Sequence, residues 1–178
     1  MYTDGACSNN GKNNAKAGYG IYTGTKVYAG KLMPFQFELV NGSLKATDIP
    51  AQLTNNRAEM FAVILAIHKF KAKKIITDST YVINSVGSMY RWFEKNDAAD
   101  KKNRDLLRIL LKISIGVEYI YQRGHQKMTG NIHIFGNNLA DKAAVKGINL
   151  PDYEVHLLMD LSNSPSLSSS SSSSSSES

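Results

Sequence analysis

Four short stretches of the sequence each place one carboxylate beside residues suited to contacting nucleic acid. The four stretches are Tyr2-Thr3-Asp4-Gly5-Ala6-Cys7, Thr54-Asn55-Asn56-Arg57-Ala58-Glu59, Thr77-Asp78-Ser79 and Asn138-Leu139-Ala140-Asp141. Acidic groups gathered on a basic protein repel one another, so such a cluster is costly unless cations neutralise it. Mg²⁺ binds oxygen ligands and often completes its shell with substrate phosphate. The pattern therefore indicates a divalent-metal site in a positively charged nucleic-acid cleft.

Each carboxylate taken alone has a simpler structural explanation. Asp4 before Gly5 is typical of a turn, and Glu59 lies near a predicted helix N-terminus, where negative charge is favoured. Asp141 follows Asn138 at the capping-box distance. Asp78 lies at the end of a predicted strand, directly before a helix. This is a typical turn position, but active sites of α/β proteins also lie at the carboxyl ends of strands. Their convergence would create a site for two Mg²⁺ ions that activate water and stabilise the leaving oxygen of a phosphodiester.

The charge distribution points to a polyanionic partner. The 178 residues include 21 Lys or Arg and 15 Asp or Glu, and the first 151 residues hold all 21 bases but 11 of the acids. Such asymmetry favours nucleic acid as a partner, although a basic protein without one has the same composition. The single cysteine, Cys7, excludes an internal disulfide. Without a long apolar run or a signal-like N-terminus, we expect a soluble intracellular monomer that does not bind membranes, in an unspecified compartment.

Periodicity predicts the elements that must position these carboxylates. Apolar spacing and capping residues predict helices at residues 54–71, 79–93, 103–113 and 138–146, with Ser79 and Asn138 as caps. Strands are expected at residues 1–6, 18–22, 74–77 and 117–121, with further strand material at 27–39 and a turn at Asn41-Gly42. The order of three strands, a helix, a strand, two helices, a strand and a helix predicts a mixed α/β sheet. Residues 162–178 are almost pure serine and are expected to be disordered.

These residues, in this order, resemble type 1 ribonuclease H over about residues 1–147. The stretch from Thr54 to Glu59 is the most specific part of the match. The matching pieces also include Thr3-Asp4-Gly5-Ala6-Cys7 with Asn10, Gly18-Tyr19-Gly20, Thr77-Asp78-Ser79-Thr80-Tyr81-Val82, Gly124-His125 and Gly136-Asn137-Asn138-Leu139-Ala140-Asp141.

The resemblance implies a ribonuclease H-like α/β fold with a five-stranded mixed sheet flanked by helices. The catalytic domain would cover residues 1–150, followed by an extension at 151–161 and the serine-rich tail at 162–178. The activity would be endonucleolytic cleavage of the RNA strand in an RNA–DNA hybrid, leaving 3′-hydroxyl and 5′-phosphate ends. Two Mg²⁺ ions, with Mn²⁺ as a substitute, would be bridged by Asp4. Asp141 would share the ion that activates water, and Glu59 and Asp78 the ion at the leaving group.

The resemblance also assigns substrate contacts. Asn10, Asn55 and Asn56 match positions that contact the RNA 2′-hydroxyls in the shallow minor groove of the hybrid. The simpler explanation for these residues is that asparagine is common in turns and at helix N-caps. Thr54 and Asn103 match part of a pocket for a DNA-strand phosphate. His125 would assist proton transfer or product release, and His133, on the same segment, is the alternative.

The sequence departs from the family pattern in two places, and these are expected to change the local structure and the affinity for hybrid. Residues 24–52 form a longer meander than the family core needs, and the basic region after the second helix is interrupted by acids. Two other functions stay open from the sequence: a catalytically weak or silent nucleic-acid-binding module of the same fold, and a related nuclease that acts on DNA.

Overall fold

A computed structural model describes residues 1–127 and 130–163. The predicted serine-rich tail lies, from residue 164 onward, outside the described residues. The strands of the described part are β1 (Tyr2–Ser8), β2 (Lys16–Tyr22), β3 (Lys26–Lys31), β4 (Phe35–Val40), β5 (Ser43–Pro50), β6 (Lys74–Thr77), β7 (Glu118–Tyr121) and β8 (His156–Asp160). The helices are α1 (Asn55–His68), α2 (Thr80–Asn96), α3 (Arg104–Ile113) and α4 (Ile132–Gly147).

The main sheet is mixed, as the sequence predicts. Its strand order is β7-β6-β1-β2-β3-β8. Strands β1, β2 and β3 form an antiparallel meander, while β6 runs parallel to β1 and β7 parallel to β6. These five are the predicted strands, and they place β1 at the centre. A sixth strand, β8, comes from the predicted extension and pairs antiparallel with β3.

A separate hairpin stands between β3 and α1. Strands β4 and β5 pair only with each other in a two-stranded antiparallel sheet. The predicted turn at Asn41-Gly42 is confirmed, since both residues have positive φ, 51° and 77°, which two-residue hairpin turns require. The prediction of three strands before the first long helix was therefore wrong. The long segment at 24–52 forms β3 and this whole hairpin, so five strands precede α1.

Helices cover both faces of the main sheet. Along β2, Ala17, Tyr19 and Ile21 belong to the core beneath α1, α2 and α3. Tyr22 belongs instead to the core beneath α4, because successive strand residues face opposite sides. Helix α1 is central, and ten of its fourteen residues are buried. None of the helices in the described ranges is long and apolar enough to cross a membrane.

Of the two predicted caps, Ser79 is confirmed and Asn138 is not, and Thr54 also acts as a cap. Thr54 and Ser79 accept hydrogen bonds from the N–H groups of Arg57 and Val82, as N-cap residues do. Helix α4, however, begins at Ile132 with Asn131 as its N-cap. The assignment of Asn138 as cap was therefore wrong, and Asp141 lies in the middle of a helix rather than in its first turns.

Candidate active site

Asp4 lies inside the central strand of the sheet. The strand predicted over residues 1–6 is confirmed and the alternative of an Asp4-Gly5 turn is wrong, because β1 continues to Ser8 and Asp4 pairs with Gly20 of β2. Alternation along β1 puts its side chain on the same face as Tyr2, the face that α4 covers. Asp4 is only 3% exposed. Its Oδ1 accepts a hydrogen bond of 2.8 Å from the Gly5 N–H.

Glu59 reaches Asp4 because α1 crosses β1 in very close contact. A Cβ atom on Gly5 would lie 2.3 Å from the Glu59 backbone nitrogen and 2.4 Å from the Ala58 carbonyl carbon. Both neighbours are backbone atoms, so neither can move without shifting the helix. The absence of a side chain at Gly5 is therefore what lets the first turns of α1 approach the strand that carries Asp4.

Asp78 and Asp141 approach the same point from two further elements. Asp78 directly follows β6, whose parallel pairing with β1 aligns Thr77 with Thr3 and so brings Asp78 beside Asp4. Asp141 is carried by α4, which lies against Gly20, where a Cβ would meet the Ala140 carbonyl oxygen at 2.2 Å. The four predicted carboxylates are thus brought together by four different elements.

The carboxylates perturb one another strongly. Asp4, Glu59 and Asp78 each offer an oxygen within 4.8 Å of the others. Burial, and then the charge of Glu59, raises the pKa of Asp4 far above its ordinary value, and Asp78 and Asp141 add to the effect. Burial likewise raises the pKa of Glu59 and of Asp78. The three groups therefore disfavour their charged forms in the absence of a cation.

The donor set fits a hard divalent cation. All the groups are carboxylate oxygens, which suit Mg²⁺ and Mn²⁺. Glu59 Oε2 is buried and is one of the side-chain atoms that, among the described residues, lack a hydrogen-bond partner. An unpaired buried carboxylate oxygen is costly, and a coordinated cation removes that cost. The oxygens of Asp4, Glu59 and Asp78 lie close enough together to coordinate one cation, and Asp141 lies beside Asp4.

The two candidate histidines occupy different environments. His125 is exposed, has a φ of 54°, and lowers the pKa of Asp78 by its charge. Its neighbour Gly124 lies against Asp78, since a Cβ there would fall 2.2 Å from Oδ2. His133 lies in the first turn of α4, where its Nδ1 is 2.9 Å from the Tyr2 hydroxyl. His125 therefore faces the carboxylates, whereas His133 belongs to an aromatic cluster.

Three predicted substrate-contacting asparagines share one surface at the N-terminus of α1. Asn10, in the loop after β1, accepts a 2.9 Å hydrogen bond through its Oδ1 from the Asn55 N–H. The same loop is tied to the helix entry by the Gly11 N–H, which donates to the Leu53 carbonyl. Asn10, Asn55 and Asn56 are all exposed. They form a polar surface at the end of α1 that also carries Glu59.

Arg57 is a site residue whose role the sequence reasoning missed. It is 2% exposed and forms a bidentate ion pair with Asp105, at 2.9 and 2.7 Å. It also donates to the Asn103 side-chain oxygen at 3.2 Å, and Asn103 donates to the Tyr81 hydroxyl at 2.9 Å. Arg57 thereby bonds to Asn103 through its guanidinium and, through its backbone N–H, to Thr54, which caps the same helix. The two residues predicted to hold a phosphate are brought together by this buried cation.

A weak signal for Arg57 is present in the sequence. Arg57 lies among apolar helix residues, where an unpaired charge is not tolerated. That position alone predicts a buried acidic partner. Which of the many acids it would be cannot be deduced, because Asp105 is 48 residues away along the chain.

Comparison with known proteins gives matches over most of the chain. A family model described as RNase H matches residues 1–149. A protein of Trichodesmium erythraeum named Ribonuclease H is 34% identical over 157 residues, covering 82% of this chain and 85% of the relative. The mouse protein Ribonuclease H1 is 28% identical over 143 residues, covering 74% of this chain but 45% of its own length. This chain thus spans less than half of the mammalian relative.

Solved structures also resemble the fold. The solution structure of the PFV RNase H domain superimposes with a TM-score of 0.52 at 25% identity, covering 83% of this chain and 92% of that domain. The crystal structure of LC9-RNase H1 gives a TM-score of 0.52 at 22% identity, covering 83% of this chain and 70% of the other. A crystal structure of prototype foamy virus protease-reverse transcriptase gives 0.56 at 24% identity, covering 85% of this chain and 21% of the other.

Proposed function

Because the chain belongs to the ribonuclease H family, we propose that it is an endonuclease that hydrolyses the RNA strand of RNA–DNA hybrids. The products would carry 3′-hydroxyl and 5′-phosphate ends. The observation that carries the proposal is the cluster of Asp4, Glu59 and Asp78, with Asp141 beside Asp4 and a buried Glu59 oxygen that lacks a donor. A protein that only bound nucleic acid would gain nothing from placing acids against phosphate.

The carboxylates would hold two Mg²⁺ ions, or Mn²⁺ in their place. Asp4 would contact both ions, Glu59 and Asp78 the ion at the leaving group, and Asp141 the ion at the water. When bound, the ions would lower the pKa of the attacking water and stabilise charge on the leaving oxygen. Deprotonation of the buried carboxylates is unfavourable without cations, so the assembled site is expected to depend on divalent metal.

The reaction would form one bond and break another at the scissile phosphorus. Water oxygen would attack phosphorus, the bond from phosphorus to the RNA 3′-oxygen would break, and that oxygen would leave as a hydroxyl. His125 lies on the loop that contacts Asp78. Its imidazole would accept the proton that the attacking water loses or donate the proton that the 3′-oxygen takes up. Alternatively, it would help the product to leave.

Recognition of RNA in a hybrid would fall to the N-terminus of α1. The 2′-hydroxyls of a hybrid line its wide, shallow minor groove, and the exposed amides of Asn10, Asn55 and Asn56 would contact them beside Glu59. Thr54 and Asn103 would bind a phosphate of the DNA strand. The hydrogen bonds of Asn103 to Arg57 and Tyr81 would hold its amide in place for this contact.

The test is a cleavage assay on labelled RNA–DNA hybrid, duplex DNA, duplex RNA and single strands, with Mg²⁺ or with chelator. We expect cleavage of RNA in the hybrid alone, abolished by chelator and by Asp78→Asn. Glu118→Gln, which changes an exposed acid at the far end of β7, should retain full activity. Binding of hybrid without cleavage under any divalent metal would refute the proposal and favour the silent module. Cleavage of duplex DNA would favour the related DNA nuclease.

A further inference from the structure

Asn137 is a buried polar residue of α4 that the proposed mechanism does not use. It is 4% exposed. Its Nδ2 donates a 3.3 Å hydrogen bond to the Gln122 carbonyl, whereas its Oδ1 is buried and, among the described residues, has no hydrogen-bond partner. A buried carbonyl oxygen without a donor destabilises a fold. Stability alone therefore does not explain why an amide occupies this position.

The bond from Asn137 falls on the residue that attaches the His125 loop to the fold. Within the described residues, Gln122 is the last residue before His125 whose backbone is hydrogen-bonded to the sheet or to a helix. Its N–H donates to the Thr77 carbonyl at 2.9 Å, and Thr77 directly precedes Asp78. The entry to the loop is thus held by β6 through the N–H of Gln122 and by α4 through its carbonyl.

The His125 ring has no comparable anchor of its own. It is exposed, and no hydrogen bond to the ring occurs among residues 1–127 and 130–163. The Gln126 side chain donates to the Arg123 carbonyl at 3.0 Å, but this bond stays within the loop. His125 lies three residues beyond Gln122, a distance of at most about 10 Å along the chain. The place of the ring beside Asp78 therefore depends on the backbone at Gln122.

Helix α4 is a rigid support for this anchor. The Tyr2 ring lies against Gly136, where a Cβ would fall 2.6 Å from it, and the Tyr2 hydroxyl lies 2.9 Å from the Nδ1 of His133. These contacts fix the first half of α4 to the central strand. Asn137 also precedes Asp141 by four residues, so the two side chains lie on one face of the helix. The helix that carries one carboxylate therefore also holds the loop that carries the histidine.

We propose that Asn137 is a positioning residue, which holds the Gln122 carbonyl and thereby keeps His125 beside Asp78. The proposal rests on the proposed function, from which His125 takes its role in proton transfer or product release. Asn137 acts through His125 and does not itself contact the substrate. An amide always brings an acceptor together with its donor. The unpaired Oδ1 is then the consequence of placing a side-chain N–H donor at this buried position.

The first test is a kinetic double-mutant cycle on RNA–DNA hybrid in Mg²⁺, with Asn137→Ala, His125→Ala and both together. Asn137→Ala should lower kcat on the order of 10-fold, because a displaced loop misplaces the ring. KM should change by less than about 2-fold, because the residue does not contact the substrate. His125→Ala should lower kcat about 100-fold.

The double variant decides whether Asn137 acts through His125. It should also lose about 100-fold, because Asn137 has no ring to position once His125 is removed. A loss near 1,000-fold, the product of the two single effects, would overturn the proposal. Asn137 would then act independently of His125, for example by supporting Asp141 on the same helix face.

Ile134→Val is the matched control for packing. Ile134 is buried on the same helix at 8% exposure, and the change removes one methylene group but leaves the amide of Asn137. It should keep kcat within about 2-fold of the unmodified chain. Equal losses of kcat in Ile134→Val and Asn137→Ala would overturn the proposal, because general loosening of α4 would explain both. Asn137→Ser also removes the Nδ2 donor, and it replaces the alanine variant if urea unfolding shows that the latter does not fold.

The second test is amide hydrogen exchange of residues 122–127 in chelator, without substrate. Asn137→Ala should speed exchange of the Gln122 N–H on the order of 10-fold, because the residue loses one of its two attachments. Ile134→Val should leave this exchange unchanged. Unchanged exchange in Asn137→Ala would overturn the proposal even in an active enzyme. Faster exchange in a chain that never cleaves hybrid would support the anchor and refute the proposed function.

Discussion

Replacing Asp4 with asparagine should stabilise the metal-free chain while removing its activity. The Asp4 carboxyl is 3% exposed and lies within 4.8 Å of oxygens on Glu59 and Asp78. Two unit charges at that separation repel by about 3.5 kcal/mol at an effective dielectric constant of 20. The fold avoids this energy by keeping Asp4 protonated, because burial and the neighbouring acids raise its pKa above neutrality.

The cost of that proton can be calculated from linkage. In the unfolded chain Asp4 ionises with its ordinary pKa of 3.8. Folding at pH 7 must therefore return a proton to it, which costs about 4 kcal/mol at roughly 1.4 kcal/mol per pH unit. Asparagine avoids this cost and keeps an oxygen that can accept the Gly5 N–H. Allowing for imperfect pairing of its amide, we expect Asp4→Asn to raise the unfolding free energy by about 2 to 4 kcal/mol at pH 7.

The pH dependence gives the sign of the effect. Below about pH 4 both states hold the proton, so the carboxyl carries no penalty there. As pH rises above 4, the unfolded state loses the proton first, so the stability of the unmodified chain falls relative to that of the variant. The gap should widen by about 1.4 kcal/mol per pH unit up to neutral pH.

The assay is urea unfolding of both chains in chelator at several pH values between 4 and 8, repeated with Mg²⁺. Mg²⁺ should stabilise the unmodified chain, by about 2.7 kcal/mol at 100 times its dissociation constant, and should stabilise the variant less. Glu118→Gln, an exposed acid, should stay within about 0.5 kcal/mol of the unmodified chain. An Asp4→Asn variant that is less stable in chelator at pH 7, or a gap that does not change with pH, would refute the reasoning.

Three further substitutions test the other supports of the site. Gly5→Ala should lower the unfolding free energy, measured by urea unfolding, by about 1 to 3 kcal/mol, because its Cβ would strike the backbone of α1. In the control, Gly87→Ala, the Cβ meets open space on the exposed side of α2 and should raise the unfolding free energy by up to about 1 kcal/mol. Equal effects in the two variants would contradict the close contact between β1 and α1. Asp105→Ala should cost about 3 to 5 kcal/mol in the same assay, because it leaves the buried Arg57 charge unpaired; a loss below 1 kcal/mol would show that Arg57 finds another partner. His125→Ala should reduce turnover on hybrid by about 100-fold, which is less than the loss expected for Asp4→Asn. It should leave the unfolding free energy unchanged, because the residue is exposed. Equal losses of turnover in the two variants would count against the role proposed for Asp4.

The features that the sequence predicts well are those specified within a few residues. Ser79 was predicted as a cap and accepts the hydrogen bond expected of one, and the helix predicted over residues 54–71 begins after Thr54, which accepts the same kind of bond. Asp78 follows a short β-branched strand, so its place at the strand end is set by its immediate neighbours. The four pairings that join the five central strands are antiparallel in the meander and parallel across the helical connections, as the order of elements predicts.

The start of α4 was misplaced because Asn138 was interpreted as its N-cap. Gly136 and the two asparagines after it are typical of a turn followed by a cap. In the structure Gly136 lies within α4, and a Cβ there would fall 2.6 Å from the Tyr2 ring. Gly136 therefore allows α4 to pack against Tyr2 of the sheet, and it does not mark a helix boundary. Local propensity cannot separate these two uses, because the residue that requires the space is 134 positions away.

The four carboxylates could be identified from the sequence, but the reason they can be held together lies in long-range contacts. Gly5 admits α1, Gly20 admits α4, and Gly124 admits the His125 loop, each at a distance that a Cβ would block. The repulsion between the carboxylates is opposed by the burial of apolar side chains. Helix α1, which carries Glu59, is surrounded by the core on nearly every side and is therefore held in place. The buried, mutually repelling carboxylates lower the stability of the metal-free fold, and the proposed binding of cations should restore that stability. On a less tightly held helix the same carboxylates would move apart, and they would then lose the geometry on which the proposed two-ion site depends.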